Sequence, residues 1–511
     1  MTQFSNSKEC NDIKILAIDI GTSSVRAIVF DSKGSIYVRK QAYYKTIIPH
    51  PGMEEQDPLL IRKETYRIIA EALQDESVDS NSVKGISFSS QMYGIFPVDY
   101  DGNPLYNNII WSDSRALKYA NDVKKTDTGR LFYNKTGCRP NSMFPIYKIK
   151  WLKENYPNLE PKTYKYISIK EFILYPLLEN WVVDFSMASA TGLLDINKKD
   201  WSEEALNYAG ISVNQLSRLT EGTTSHALVS RSLLELWGLQ KDTLIFCGGG
   251  DGPLANIGSG ASSPGSVNID LGTSGAARAV VDRPTIDSKE SLWCFCLTEN
   301  LWVSGGILTN VGNAYNWLNT NIANLLNAKD EITAMQQIDS LASKVEVGSN
   351  GLFFLPYLRK ARSPHWNDNL VGTLYGLEAE HTVGHIAKAL YEAILYDIAI
   401  IIEIIGKKVP IEKDVVLTGG LSKNKGLAQM LAHVLQKNVL IPANSEGSIS
   451  GAAIFGFYGL GILKDFKFKK TAESQYTIYS PDSDCSDAYK DLRYKYSQLV
   501  TYLSSFEFIQ R

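Results

Sequence analysis

The chain builds the same hairpin twice. Residues 13–44, IKILAIDIGTSSVRAIVFDSKGSIYVRKQAYY, set the β-rich runs ILAIDI and VRAIVFD around a GTSS turn, and a second turn at DSKG leads to a third strand. Residues 267–282, VNIDLGTSGAARAVVD, repeat the design: strand, aspartate, apolar residue, Gly-Thr-Ser, strand. A supersecondary unit repeated in separate halves predicts two similarly built domains facing each other across a cleft. A Gly-Thr-Ser turn exposes backbone N–H groups and hydroxyls without bulk, which suits phosphate oxygens. Either copy alone reads more readily as a tight hairpin. The pair favours the phosphate reading.

Between and after the hairpins, strand-like and helix-like segments alternate, which predicts an α/β chain. VKGISFSSQMYGIFPVD (83–99) reads as a buried strand entering a polar turn, and KDWSEEALNYAGI (199–211) as a helix capped by Ser202 with glutamates in its first turn. DVVLTGG (414–420) reads as a buried strand ending in a turn. The most apolar stretch, ALYEAILYDIAIIIEII (389–405), carries Glu392, Asp397 and Glu403 at helical spacing, so it suits a mostly buried helix rather than a bilayer span. The tail at 464–506 is expected to end in a helix packed on the second domain, with a partner-binding role left open. The domain boundary is placed near residue 252.

With 511 residues, 44% hydrophobic and 21% charged, the chain has material for two or more cores. Its 52 basic and 55 acidic residues, without a long single-sign block, give no electrostatic footprint for nucleic acid or an anionic membrane. Six sparse cysteines with no CxxC pair fit a reduced setting, and MTQFSNSKECNDIK lacks the apolar core of a signal peptide, so a cytoplasmic location is expected. Cys294 and Cys296 alternate along an expected strand and read as core. The sequence is compatible with a homodimer.

IFCGGGDGPLANIGSGA (245–261) removes the side chains from three successive positions immediately before Asp251. Glycine there permits a sharp turn or the close approach of a ligand. An aspartate ahead of a Pro-initiated helix also serves as a helix-start residue; a cap needs no cleared approach, so the glycines favour a ligand packed against backbone.

Taken in order, these motifs resemble the FGGY carbohydrate kinases, within the actin and sugar-kinase superfamily of ribonuclease-H-like folds. DIGTSSVRA resembles the first phosphate motif, SSQMYG the sugar-cleft strand, GGGDGPLANIGSGA the catalytic-aspartate segment, DLGTSGAAR the second phosphate motif and LTGGLSKN the adenosine motif. The resemblance spans roughly residues 14–462. It implies two ribonuclease-H-like domains around a central cleft: residues 1–252 with the sugar site, the first phosphate motif and the catalytic aspartate, and residues 253–511 with the nucleotide site and a helical tail. Within the family, DFSMASATGLLDINKKDWSEEALNYAGI (184–211) and WCFCLTENLWVSGGILTNVGNAYNWL (293–318) resemble the gluconate kinases most. Two positions depart: Tyr93 stands where gluconate and xylulose kinases usually carry His, and RKARSP (359–364) replaces a GERAP-like loop.

The resemblance implies ATP and Mg²⁺ as cofactors and a small sugar or sugar acid as acceptor, D-gluconate first and D-xylulose second. Asp251 is then the base for the sugar hydroxyl, an aspartate of ordinary acidity, about 3.9, already ionised at neutral pH. Asp19 would hold Mg²⁺ through water, although an Asx turn explains it too. Thr22, Ser23, Arg26, Gly272 and Thr273 would line the phosphates, and Gly312, Asn316, Gly420 and Asn424 the nucleoside. Gln91, Met92 and Tyr93 would face the sugar, with Arg139 and Lys148 as candidate partners of a substrate carboxylate. Asp270 is read as structural, as are Trp111 and Asp113. An actin-like ATPase without sugar chemistry is the rival of another class.

Overall fold

The structure, a computed structural model, describes residues 13–322, 331–367, 369–412, 414–443, 446–469 and 476–505. The first sheet contains β1 (Lys14–Ile20), β2 (Ser24–Asp31), β3 (Ile36–Tyr43), β4 (Val83–Ser90), β5 (Ser225–Ala227) and β6 (Leu244–Gly250), in the spatial order β5-β6-β4-β1-β2-β3. The second contains β7 (Val267–Leu271), β8 (Gly275–Val281), β9 (Trp293–Cys296), β10 (Trp302–Leu308), β11 (Asp414–Thr418), β12 (Asn438–Pro442) and β13 (Tyr476–Tyr479), ordered β9-β10-β8-β7-β11-β12-β13. Each sheet has an antiparallel meander whose first strand pairs in parallel with a later one, β1 with β4 and β7 with β11. The sequence repeat is therefore a repeat of topology.

Strand β1 shows why these runs fold as they do. Ile15 and Ala17 enter one hydrophobic cluster, and Leu16, Ile18 and Ile20 enter another. Alternation sends successive side chains to opposite faces, and both faces are covered, so the run is apolar throughout.

The helices that bear on the site are α1 (Pro58–Leu73), α2 (Asp251–Gly258), α3 (Gly312–Ile322), α4 (Val383–Gly406), α5 (Lys425–Leu435), α6 (Ser448–Gly459) and α7 (Ser483–Leu503). Asp57 caps α1 by accepting from the Leu59 N–H at 2.9 Å, and Pro58 occupies its first turn. Among the described residues, no helix is long and apolar enough to cross a membrane. The acids within α4 are inside the second core and satisfied there: Glu392 accepts from the Gly348 N–H and the Ser349 hydroxyl, each at 2.9 Å, and Asp397 accepts from Tyr357 and faces His365 at 2.8 Å. The tail helix α7 docks on this network through Tyr489, which donates to Glu392, and Tyr496, which meets Tyr357 at 3.0 Å. The tail thus packs on the second core, as expected from its sequence.

Helix α6 lies late in the sequence yet packs on the first sheet, against β1, β4 and β6. Glycines make that approach possible. A Cβ at Gly456 would stand 3.1 Å from Ile15, one at Gly459 2.4 Å from Phe246, and one at Gly451 2.1 Å from the Leu254 carbonyl oxygen of α2. The contact between α2 and α6 is backbone on backbone.

Candidate active site

Both hairpins reach one cleft of about 640 Å³, with Arg26 contributed by the first and Asp270 and Arg278 by the second. Asp251, Gly252 and Ala255 of α2, Gly419, Gly420 and Lys423 after β11, and Glu446, Gly447 and Ser448 at the start of α6 complete much of its wall.

Asp251 is the first residue of α2 and is half-buried. Its Oδ1 accepts from the Gly252 N–H at 2.7 Å. Burial first, and the charge of nearby Asp19 second, push its carboxyl up to about 7. The ordinary acidity expected from sequence is therefore corrected: the Asp251 carboxyl is poorly solvated beside a second carboxylate and holds its proton longer. The glycines before it also act differently from expectation. A Cβ at Gly248 would stand 1.8 Å from the Phe88 carbonyl oxygen, and one at Gly250 2.7 Å from Met92. Gly248, at φ 62°, sits where the pairing of β6 with β4 shifts register. The cleared space is occupied by the protein's own backbone and Met92, and the bulge turns the chain so that Asp251 starts a helix at the cleft.

Asp19 is 6% exposed at the end of β1, directly opposite Arg26 in the β1–β2 register. Arg26 Nη2 is 2.6 Å from Asp19 Oδ2, and the Ser448 hydroxyl donates to Asp19 Oδ1 at 3.0 Å. The turn that follows is closed by a Gly21 N–H to Ser24 carbonyl bond of 2.9 Å. Gln56 donates to the Thr22 carbonyl at 2.6 Å and the Trp111 indole to the Thr22 hydroxyl at 3.0 Å, so Trp111 braces the turn. The second turn is one residue shorter, closed by Gly272 N–H to the Ser274 carbonyl. The start of α3 is latched onto it: Gly312 N–H donates to the Gly272 carbonyl and Asn313 N–H to the Thr273 carbonyl, both at 3.0 Å. Ser23 and Thr273 are exposed. Thr22, Ser23, Gly272, Thr273, Gly312, Asn316 and Asn424 are not part of the 640 Å³ lining, whereas Gly420 is. Asn316 is exposed one turn into α3, and the Asn424 side-chain oxygen accepts from Leu427 N–H at 3.0 Å as the cap of α5.

On the sugar side expected from sequence, Tyr93 is half-buried at φ 68°, a left-handed conformation uncommon for a bulky residue. Its ring packs against Phe144, 5.6 Å between centroids, and Phe295, 6.2 Å, which belong to opposite halves of the chain. Burial, then the charge of Asp251, push its phenol well above the ordinary range. Gln91 is 1% exposed and donates to Gln56 at 2.8 Å, and Met92 fills the space over Gly250.

Both cations expected to meet a substrate carboxylate contact groups of their own chain, Lys148 tightly and Arg139 loosely. Lys148 is completely buried, and its ammonium donates to the carbonyls of Tyr93 and Ile110 at 2.8 Å and of Ile109 at 3.4 Å. Three donors meet three acceptors, which leaves none for a ligand. Arg139 Nη1 donates to the Glu290 carbonyl at 3.3 Å, its Nε is 3.8 Å from the Glu290 carboxylate, and its guanidinium lies 5.5 Å from the Trp366 ring centre. It ties the two halves together through a carboxylate of its own chain.

Sequence reasoning missed Arg278, the cleft-facing side of Asp270, and the Glu446–Ser448 segment. The repeat held a signal for the first: Arg26 follows its motif aspartate by seven positions and Arg278 follows Asp270 by eight. Nothing local marks Glu446 or Ser448, which reach the cleft only through the packing of α6.

Two lobes of like topology, whose hairpins both bring side chains to a cleft with a helix-borne aspartate, define a fold of the actin and hexokinase type. The comparisons give the particular family. Its N-terminal domain matches residues 14–258 and its C-terminal domain residues 267–460, and the chain belongs to the FGGY family of carbohydrate kinases. It is 32% identical to the gluconokinase of Bacillus licheniformis over 483 residues, 94% of each chain, and 28% identical to the xylulose kinase of Staphylococcus epidermidis (strain ATCC 12228 / FDA PCI 1200) over 483 residues, 93% and 94%. The gluconate kinase structure from Lactobacillus acidophilus superposes with a TM-score of 0.90 at 28% identity, covering 96% of this chain and 98% of that one. The chain is thus a sugar kinase with ATP as phosphate donor.

Proposed function

We propose that the chain phosphorylates D-gluconate at its terminal hydroxyl, giving 6-phosphogluconate, with Asp251 as the base. The observation that carries this reading is Asp251 itself: a carboxylate at the start of α2, in a cleft walled by residues from both hairpins. Phosphoryl transfer needs positioning and charge stabilisation more than covalent help. In this reading Asp251 orients the primary hydroxyl and takes its proton as the oxygen bonds to phosphorus. Thr22, Ser23, Gly272 and Thr273 present donors to the phosphates from the two turns, Arg26 supports the first of them, and Gly312, Asn316, Gly420 and Asn424 flank the nucleoside. Residues 1–252 act as the sugar-side domain and residues 253–511 as the nucleotide-side domain.

The donor chemistry fits magnesium, which takes one or two carboxylates together with water and phosphate oxygens. Asp19, whose oxygens also accept from Arg26 and Ser448, would hold it through water, because this ion keeps much of its hydration shell. When bound, the ion would neutralise phosphate charge. Closure of the lobes would exclude water and suppress futile ATP hydrolysis.

A sugar acid is favoured over a neutral ketose by the gluconokinase relatives. Xylulose is the second reading, carried by the relatives of that name. A coupled ADP-release assay over gluconate, xylulose, ribulose, fuculose, glycerol and erythritol decides between them. Gluconate is expected to give the highest kcat/KM, and a higher value for any other acceptor overturns the assignment.

A further inference from the structure

Arg278 is 8% exposed on β8, in register opposite Asn268 and on the same sheet face as Asp270. The shorter second turn matters here. Arg26 stands directly across from Asp19 and closes on it at 2.6 Å, whereas Ala276 takes the place across from Asp270 and Arg278 falls two residues deeper. Its Nη2 is consequently 3.7 Å from Asp270 Oδ2 and 3.3 Å from Asn268 Oδ1, both longer than a tight charge-assisted bond of about 2.7–2.9 Å. Its Nε is enclosed and has no hydrogen-bond partner among the described residues.

The position of this cation is fixed from several sides. Gly305 makes room for its stem, since a Cβ there would stand 2.9 Å from Arg278 Cγ. The Asn256 amide, within α2, donates to the Arg278 carbonyl at 3.0 Å and so locks the helix bearing Asp251 to the strand bearing Arg278. Nη1 reaches over the start of that helix, where a Cβ on Gly252 would be 3.2 Å away. A desolvated guanidinium with loose protein partners is costly unless an anion completes it. Arg278 and Asp251 line the same cleft, with Gly419 and Gly420 on the nucleotide side.

From this geometry we infer that Arg278 is a catalytic residue that binds the phosphoryl group in transit between the nucleotide and the acceptor. The inference rests on the kinase reading above. As the acceptor oxygen bonds to the γ-phosphorus, the bond from phosphorus to the β,γ-bridging oxygen breaks and its electron pair leaves with ADP. The acceptor proton passes to Asp251. Arg278 donates to a non-bridging oxygen of the moving group, where negative charge is greatest, and a fork of donors already in place costs no reorganisation during the step.

The test compares the parent with Arg278→Ala and Arg278→Lys, using the acceptor that the parent phosphorylates best. Arg278→Ala is expected to lower kcat about 10²–10³-fold, the usual loss for a transition-state donor, with KM for ATP and calorimetric affinity for Mg-ADP within about threefold. The parent is expected to bind Mg-ADP with aluminium fluoride and acceptor more tightly than Mg-ADP alone, and Arg278→Ala to lose that gain. Added guanidinium at millimolar concentration is expected to restore part of the rate. A kcat within about threefold of the parent, or a loss of Mg-ADP affinity as large as the loss of kcat, overturns the inference. If Arg278→Ala does not fold, Arg278→Lys is decisive: it keeps a cation and a stem without the fork, and retention of the full aluminium fluoride gain overturns the role. Should the parent phosphorylate no sugar, the kinase reading fails separately, and the residual ATP hydrolysis rate reads Arg278 by the same criteria.

Discussion

Asp19 and Arg26 face each other across the first hairpin with Oδ2 and Nη2 2.6 Å apart, and Ser448, more than four hundred residues later, donates to the other carboxylate oxygen at 3.0 Å. One aspartate thus joins the first turn to the start of α6. Asp19→Asn keeps the shape and a polar contact for Ser448 but removes the charge. It is expected to raise the Mg²⁺ concentration for half-maximal activity at least about tenfold, a loss within the span of one charged hydrogen-bonding group. Ser448→Ala, which removes a single neutral donor, is expected to shift it less than about threefold. Unchanged magnesium titration in Asp19→Asn would show that the ion is held elsewhere.

Asp251→Asn retains the volume at the start of α2 and loses the proton acceptor. The expected outcome is a fall in kcat of about 10²–10⁴-fold, the range for a positioned general base, with Mg-ADP affinity unchanged in calorimetry. Activity at the parental rate would remove Asp251 from the chemistry.

The acidity of Asp251 gives a separate, signed expectation. Because burial and Asp19 push its carboxyl up to about 7, the free protein holds the protonated, inactive acid below that pH and the competent carboxylate above it. Log kcat/KM for the acceptor is therefore expected to rise by about one unit per pH unit up to about 7 and then level off, since this ratio reports the free enzyme. A profile flat down to pH 5 contradicts both the role and the local charge arrangement.

The hairpins were legible because their chemistry is local: period-two apolar runs, Gly-Thr-Ser turns and one aspartate each, all within about thirty residues. Asp251 was legible for the same reason. The purpose of its glycines was not, because the atoms they accommodate, the Phe88 carbonyl and Met92, lie more than one hundred and fifty residues away. The surroundings of Lys148 were not legible either: a sequence gives its charge but not the carbonyls of Tyr93, Ile109 and Ile110 that accept from it. Arg278 was half-legible, since the spacing from motif aspartate to arginine, seven residues in one copy and eight in the other, is visible in the sequence, while the turn lengths and the pairing that results require the register.

Gly258 tests how α6 is held against α2. A Cβ there would stand 1.9 Å from the Gly447 carbonyl oxygen and 2.8 Å from the Gly451 backbone nitrogen, and neither neighbour is a flexible side-chain end. Gly258→Ala must spread the two helices, at a cost of about 1–3 kcal/mol for overpacking, read as a lower urea midpoint at constant m-value. Spreading also draws Ser448 away from Asp19, so the Mg²⁺ requirement is expected to rise with the loss of stability. A variant as stable as the parent would mean that the helices are not in backbone contact.

Lys148 separates a role in shape from a role in recognition. Its ammonium is enclosed by the carbonyls of Tyr93, Ile109 and Ile110, and burial lowers it to about 7, the nearby Asp113 acting in the opposite direction. Lys148→Met preserves much of the volume and leaves those carbonyls without their donor, each lost partner exposing a desolvation cost of about 1–3 kcal/mol. The expected result is a clear drop in melting temperature together with a lower kcat/KM, because the left-handed turn at Tyr93 loses its anchor beside the cleft. Since the ammonium has no donor left for a ligand, gluconate and xylulose are expected to lose activity by the same factor. A selective loss of gluconate phosphorylation, with xylulose unchanged, would instead make Lys148 the receptor of the substrate carboxylate and require the turn to open when the acid binds.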